Sequence, residues 1–211
     1  MTTKQRFEHI LTWFAANMPV AESELVFLNP FQCLIAVMLS AQCTDKRVNM
    51  VTPALFAAYP TPEALASATS DEVFEYIQSI SYPRSKAEHL VQMAQRLVEV
   101  YNGIVPDNIE DLQTLQGVGR KTANVIRGNI FHDPSIVVDT HVKRISAKLG
   151  FTKEKDPEKI EYDLMKVLPK DHWILYNIQI ITFGRDICKA QRPECDRCRL
   201  TEYCSQPKPH S

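Results

Sequence analysis

Apolar residues recur along this chain at the period of an α-helix. Between Lys86 and Gly103, the positions Ala87, Leu90, Val91, Ala94, Leu97, Val98 and Tyr101 follow i, i+3, i+4, i+7 spacing, which puts them on one face of a helix. Gly103 stands where such a helix would stop. The same reading predicts helices over Phe7–Asn17, Phe31–Ser40, Lys46–Tyr59, Asp71–Ile80, Lys121–Phe131, Val142–Leu149, Pro157–Leu168 and Trp173–Ile187. Thr69-Ser70-Asp71-Glu72 has the residues of a capping box, and Gly150 is placed as a C-cap. Most of the thirteen prolines fall between these segments, as punctuation. Ile136-Val137-Val138 is the one β-branched run and is too short to build a sheet. The class is all-α, with SQPKPHS at the end reading as a loose tail.

A length of 211 residues admits one large domain or two small ones. With 45% hydrophobic and 23% charged residues, disordered and fibrous classes are excluded. No stretch reaches the roughly 18 apolar residues of a membrane span, and the first ten residues carry no apolar signal core. We therefore expect a cytoplasmic protein, or a nuclear one if the source is a eukaryote, with no membrane partner. The net charge of −1 does not announce a polyanion binder. Its distribution says more: −6 over residues 1–114, +4 over 115–150, −1 over 151–184 and +2 over 185–211. Charge blocks are usually solvated faces, so this asymmetry favours a polyanion partner only modestly.

Four of the six cysteines, Cys188, Cys195, Cys198 and Cys204, crowd into one loop. Without a secretory signal, clustered thiols point to a metal centre rather than to disulfides. Zinc and a 4Fe-4S cluster both accept four thiolates, and the spacing does not separate them. Lys189, Arg192, Arg197 and Arg199 alternate with acids in the same loop, so a metal-stapled loop would present cations to phosphate without the entropy cost of ordering it. Cys33 and Cys43 read as buried structural thiols.

The stretch LQGVGRKTANVI, Leu115 to Ile126, places Gly117 and Gly119 just before a helix. Glycines there permit positive φ and close backbone approach, and leave the first helical amides open to an anion. With helix-like sequence over 108–115 on the other side, the unit reads as a helix-hairpin-helix over about 108–131 with Val118 packed inward; a plain interhelix turn fits the glycines equally well. Lys121 is the sharper feature. An ordinary lysine is only about one part in a thousand unprotonated at neutral pH, but partial burial, Arg120 and the helix end would lower its pKa and free the amine to attack a sugar carbon. Asp139 offers a partner. Its position before Thr140-His141 suits an N-cap, and equally a carboxylate that takes a proton or stabilises an oxocarbenium-like sugar. His141 reads as a packing residue.

Taken together, MLSAQCTD (38–45), SKAEHL (85–90), LQGVGRKTANVI, VVDTHVKR (137–144) and the four-cysteine loop resemble the endonuclease III family of DNA glycosylases and abasic-site lyases, in family order over almost the whole chain. The resemblance implies two helical domains: a six-helix barrel over 22–135, and a cluster domain of 1–21 with 136–211, with the active site in the cleft between them. It implies a 4Fe-4S cluster on the four cysteines. It also implies a monomer acting on double-stranded DNA that contains damaged pyrimidines or abasic sites. Lys121 and Asp139 would be catalytic, and Gln42, Tyr82, Gly117, Val118, Gly119, Arg120, Arg144 and Arg192 would contact DNA, with Gln42 filling the gap left by a flipped nucleotide and Tyr82 as the opposite-strand wedge. Ser81-Tyr82-Pro83-Arg84, Gln116, Phe183 and Cys43 depart from common family residues. A monofunctional glycosylase of the same superfamily lacks the lysine, so Lys121 speaks against it. A non-catalytic module that binds DNA structure would use the hairpin alone, and a small electron carrier would use the cysteine loop alone.

Overall fold

Side-chain caps decide where most of the helices begin. The structure, a computed structural model, describes residues 3–18 and 25–205. Within these it forms eleven α-helices: α1 Thr3–Asn17, α2 Pro30–Ser40, α3 Asp45–Ala58, α4 Pro62–Ala66, α5 Ser70–Ile77, α6 Pro83–Tyr101, α7 Ile109–Leu112, α8 Arg120–Ile130, α9 Thr140–Lys148, α10 Pro157–Val167 and α11 Trp173–Asp186. The all-α class holds, with no strand among the described residues. The tail residues 206–211 and the expected junction at 21–22 lie outside them.

The chain divides into two compact units, Met1–Glu22 with Pro134–Ser211, and Ser23–Asp133. In the second unit α6 packs against α4 and α5, and α2 against α8. Its core includes Leu34, Leu39, Leu55, Leu65, Leu90 and Ile126, all fully buried. Five of its helices start on a residue whose side chain accepts the backbone N–H three positions on: Asn29, Thr44, Thr61, Thr69 and Asn108. Each cap satisfies one of the amides that a helix start leaves open. The capping box at Thr69 is complete, because Glu72 also accepts the Thr69 N–H at 2.8 Å. Only α6 and α8 in this unit start without a side-chain cap; their N-cap residues are Tyr82 and Gly119.

The other unit draws its core from both ends of the chain. Ile10 and Phe14 of α1 are fully buried with Leu164, Tyr176 and Phe183. Phe14 meets Phe183 edge-on at 5.4 Å, and Phe7 stacks on Phe151 at 4.4 Å. Tyr176 turns its hydroxyl to Ser146 Oγ at 2.9 Å, and burial pushes its pKa up. In α10, Asp156 accepts from two amides, Glu158 N and Lys159 N.

Candidate functional site

The hairpin is built as a short helix, a tight turn and a longer helix. α7 is only four residues long, shorter than the helix expected over 108–115. Tertiary and side-chain hydrogen bonds stop it: Thr114 Oγ1 donates to the Asp111 carbonyl at 2.7 Å, and Tyr101 of α6 reaches Thr114 Oγ1 at 2.8 Å. Thr114 onward closes on tighter three-residue spacing, Thr114 N to Asp111 O and Leu115 N to Leu112 O. Leu112, Leu115 and Val118 are buried beneath the turn.

The two glycines do different work. Gly117 has φ +79°, and a Cβ there would meet Met38 Cε at 3.0 Å and His89 Cβ at 3.1 Å, so both its backbone and its packing exclude a side chain. Gly119 has an extended backbone, φ −85° and ψ 173°, and does not use the positive φ expected of it. A Cβ there would meet nothing within 4 Å. Its bareness serves nothing inside this unit, and it opens the uncapped amides of α8 to approach from outside. Arg120 is half-buried at the first helical position, and Lys121, on the same first turn, is exposed rather than partly buried as expected.

A second pair of expected site residues lies in the same unit. Gln42 is exposed with φ +56°, and Tyr82 is 65% exposed with φ +57°. Left-handed backbone costs a residue with a Cβ about 1–2 kcal/mol, and Tyr82 also precedes a proline, which disfavours helical conformations. Such strain persists where surrounding contacts impose it. Around Gln42, Lys86 and Ser81 supply those contacts, and sequence reasoning did not single them out. The signal for Lys86 was present: it lies one and two turns before Leu90 and Met93, in register with the apolar stripe of α6. It is half-buried, and desolvation lowers its pKa, against a smaller upward pull from Cys43. Cys33 is buried and its thiol is pushed up to about 12; Cys43 is half-buried.

In the unit formed by both chain ends, Asp139 caps α9, its Oδ1 accepting the Val142 N–H at 2.8 Å. That leaves Oδ2 for a second partner. The approach to Asp139 is fixed: Ile136 and Val137 are buried, and Asn177 Nδ2 donates to the Val137 carbonyl at 3.0 Å. His141 packs against Gly184 so closely that any Cβ on that glycine would collide with its ring. α9 and α11 cross there without room for a methyl group. Arg144, an expected DNA contact, donates through Nη1 to the Cys188 carbonyl at 2.6 Å and approaches Cys188 Sγ at 3.7 Å.

All four clustered cysteines are free thiols and line one cavity of about 230 Å³, together with Ile145, Leu149, Phe183 and Leu200. Among the described residues no three of His, Cys, Asp or Glu converge as ligands of a single metal ion. Four thiols lining one cavity have the donor chemistry of a thiolate-held metal centre. The loop is stitched by Cys188 N to Phe183 O at 2.8 Å and Glu194 N to Ile187 O at 2.9 Å. Ser205 N closes its far end on Lys148 O at 2.7 Å. Glu194 accepts from both Lys189 and Arg197, so those two cations are tied within the loop. The support expected from four loop cations reduces to Arg192, exposed with φ +51°, and Arg199, also exposed.

A family model described as HhH-GPD superfamily base excision DNA repair protein matches residues 35–170. Curated proteins called endonuclease III are similar over nearly the whole length: one from Synechocystis sp. is 46% identical over 95% of this chain and 92% of its own, and one from Bacillus subtilis is 42% identical over 98% and 94%. The chain belongs to the endonuclease III family. Among solved structures, a trapped endonuclease III–DNA covalent intermediate aligns with a TM-score of 0.89 at 44% identity, covering 97% of each chain. Of the residues expected to act in this chain, the hairpin residues with Gln42 and Tyr82 lie in one unit, and Asp139, Arg144, Arg192 and the cysteines in the other.

Proposed function

We propose that this endonuclease III family protein removes oxidised pyrimidines from duplex DNA and cuts the resulting abasic site, using Lys121 as nucleophile and Asp139 as its acid–base partner. The protein is a base excision repair DNA glycosylase with abasic-site lyase activity. The observation that carries the residue assignment is the placement of Lys121. It is an exposed amine on the first turn of α8, directly past an uncapped turn whose Gly119 leaves open space. A phosphate held on those amides delivers its own sugar to the amine, and positioning of this kind replaces a bimolecular encounter.

The target nucleotide is turned out of the duplex, since its glycosidic bond is unreachable while stacked. The Lys121 amine attacks C1′ as the C1′–N bond to the base breaks, and the base leaves with a proton. Asp139 stabilises positive charge on the sugar and accepts the proton lost by the attacking amine. The C1′–O4′ bond then breaks, O4′ taking the proton held by Asp139, and the iminium so formed acidifies the C2′ hydrogen; its removal expels the 3′ phosphate by β-elimination, and water then frees Lys121. Gln42 and Tyr82 hold the opened duplex. Gly117 and Val118 shape the grip, and Arg120 and Arg192 add electrostatic attraction to phosphate. Arg144 supports the same surface by anchoring Cys188.

We also infer that Cys188, Cys195, Cys198 and Cys204 hold a 4Fe-4S cluster, which would cross-link the loop that carries Arg192. What supports this is the chemistry of the donors: four thiols on one cavity wall, none bonded to another.

Borohydride added during reaction is expected to trap a covalent protein–DNA adduct, and Lys121→Ala to abolish both adduct and nicking. An adduct formed equally by Lys121→Ala would overturn the assignment. A wild-type protein that frees the base without any adduct would favour a monofunctional glycosylase instead.

A further inference from the structure

Two side chains outside the expected site lock the backbone around Gln42. Ala41 has φ −58° and ψ 114°, Gln42 has φ +56°, and Cys43 N bonds Ser40 O at 3.0 Å. These values describe a type II turn, which normally asks for glycine at its third position. A type I turn needs only a rotation of the Ala41–Gln42 peptide and would return Gln42 to an unstrained negative φ. Lys86 Nζ opposes that rotation. It donates to the Ala41 carbonyl at 2.7 Å and to the Leu39 carbonyl at 2.8 Å, so flipping the peptide would break the first bond and leave the lysine half-buried with one partner. From the other loop, Ser81 Oγ donates to the Gln42 carbonyl at 2.7 Å. Ser81 immediately precedes Tyr82, the second strained and exposed residue.

We propose that Lys86 and Ser81 are positioning residues, Lys86 holding the Ala41–Gln42 peptide in its type II orientation and Ser81 tying the Gln42 carbonyl to the loop of Tyr82, so that Gln42 and Tyr82 meet duplex DNA as one pre-set unit. The inference rests on the glycosylase reading and deepens it. The strained turn at Gln42 is held by these two side chains, and the Ser81–Gln42 bond joins its loop to that of Tyr82. An arrangement fixed before DNA arrives spares the cost of ordering two loops when the duplex opens. The devices matter only where an opposite strand must be held away from an extruded nucleotide.

The test compares two substrates: a duplex with one oxidised pyrimidine, and a single-stranded oligonucleotide with an abasic site, where there is no opposite strand to hold. Ser81→Ala and Lys86→Met are each expected to lower the duplex-to-single-strand rate ratio by about fivefold to tenfold, the loss of roughly one hydrogen bond. Ser81→Thr should restore the ratio. In a Gln42→Ala background, the effect of Ser81→Ala should shrink, because one of the two groups it aligns is gone. Equal loss on both substrates, an undiminished Ser81→Ala effect in the Gln42→Ala background, or a Ser81→Ala ratio equal to wild type would each overturn the proposal. Ser81 is on an exposed loop, so its variants keep the test decisive even if Lys86→Met folds poorly. A wild-type protein that cuts neither substrate would instead overturn the glycosylase reading, and the positioning role with it.

Discussion

Replacing the two hairpin glycines one at a time should separate folding from binding. At Gly117 an alanine must adopt φ +79°, which costs about 1–2 kcal/mol. Its methyl must also displace Met38 Cε and His89 Cβ from 3.0 and 3.1 Å, and overpacking of this kind costs about 1–3 kcal/mol. Flexible Met38 can yield, but His89 Cβ is fixed to the α6 backbone, so we take a combined loss of about 2–4 kcal/mol. For a chain of this size that is a drop in melting temperature of roughly 5–15 °C. At Gly119 the backbone is already extended and the added methyl meets nothing, so alanine should cost less than about 1 kcal/mol. Serine at the same position should cap α8 and add a few tenths of a kcal/mol of stability, holding or slightly raising the melting temperature. It would do so by occupying the amides that we assign to a phosphate, so affinity for a duplex with a stable abasic-site analogue should fall. Thermal melting and fluorescence anisotropy on the three variants decide it. Gly117→Ala melting like wild type would refute the packing argument. Gly119→Ser binding as tightly as wild type would refute the phosphate grip.

Other expected outcomes follow from single contacts. Ser146→Ala strips the fully buried Tyr176 hydroxyl of its 2.9 Å partner and should cost about 1–3 kcal/mol in thermal unfolding. Cys33, its thiol pushed up to about 12 by burial, should resist alkylation at pH 8 in the native protein and react on unfolding. Glu72 has its pKa lowered below 4.5, chiefly by the Thr69 backbone N–H. Its stabilisation is therefore present above pH 4.5 and lost as pH falls through the lower folded value. The gap in melting temperature between wild type and Glu72→Gln should close over that acidic range, and a gap that widens on acidification would refute it.

Much of the fold was legible because periodicity and caps are local. The α6 stripe, the Thr69 box and the left-handed Gly150, with φ +77°, all stand where the residues placed them. α4 escaped because five residues are too few to show a period, although Thr61 and Pro62 give a start signal. α7 was over-extended because what ends it is a tyrosine from α6, eight residues before its start. In the site, residue type pointed to Lys121 and Asp139, but nothing in the letters Gln and Tyr announces a left-handed backbone. At Gln42 that conformation is held by partners 39 to 47 positions away in sequence. Nor could charge counting show that Glu194 absorbs Lys189 and Arg197. A lysine in a cysteine loop looks the same whether it faces phosphate or a neighbour.

The packing of Phe14 against Phe183 also sets a schedule for synthesis. α1 leaves the ribosome first, yet its partners emerge about 170 residues later, which at 5–20 residues per second is roughly 10–35 s. The continuous unit Ser23–Asp133 has all its partners well before then. It can therefore be native while α1 still waits with Phe7, Ile10 and Phe14 uncovered, a ready target for holding chaperones. A mutation in α11 that slows docking of Phe183 would prolong that wait, and would show itself as nascent-chain loss rather than as a weaker finished protein.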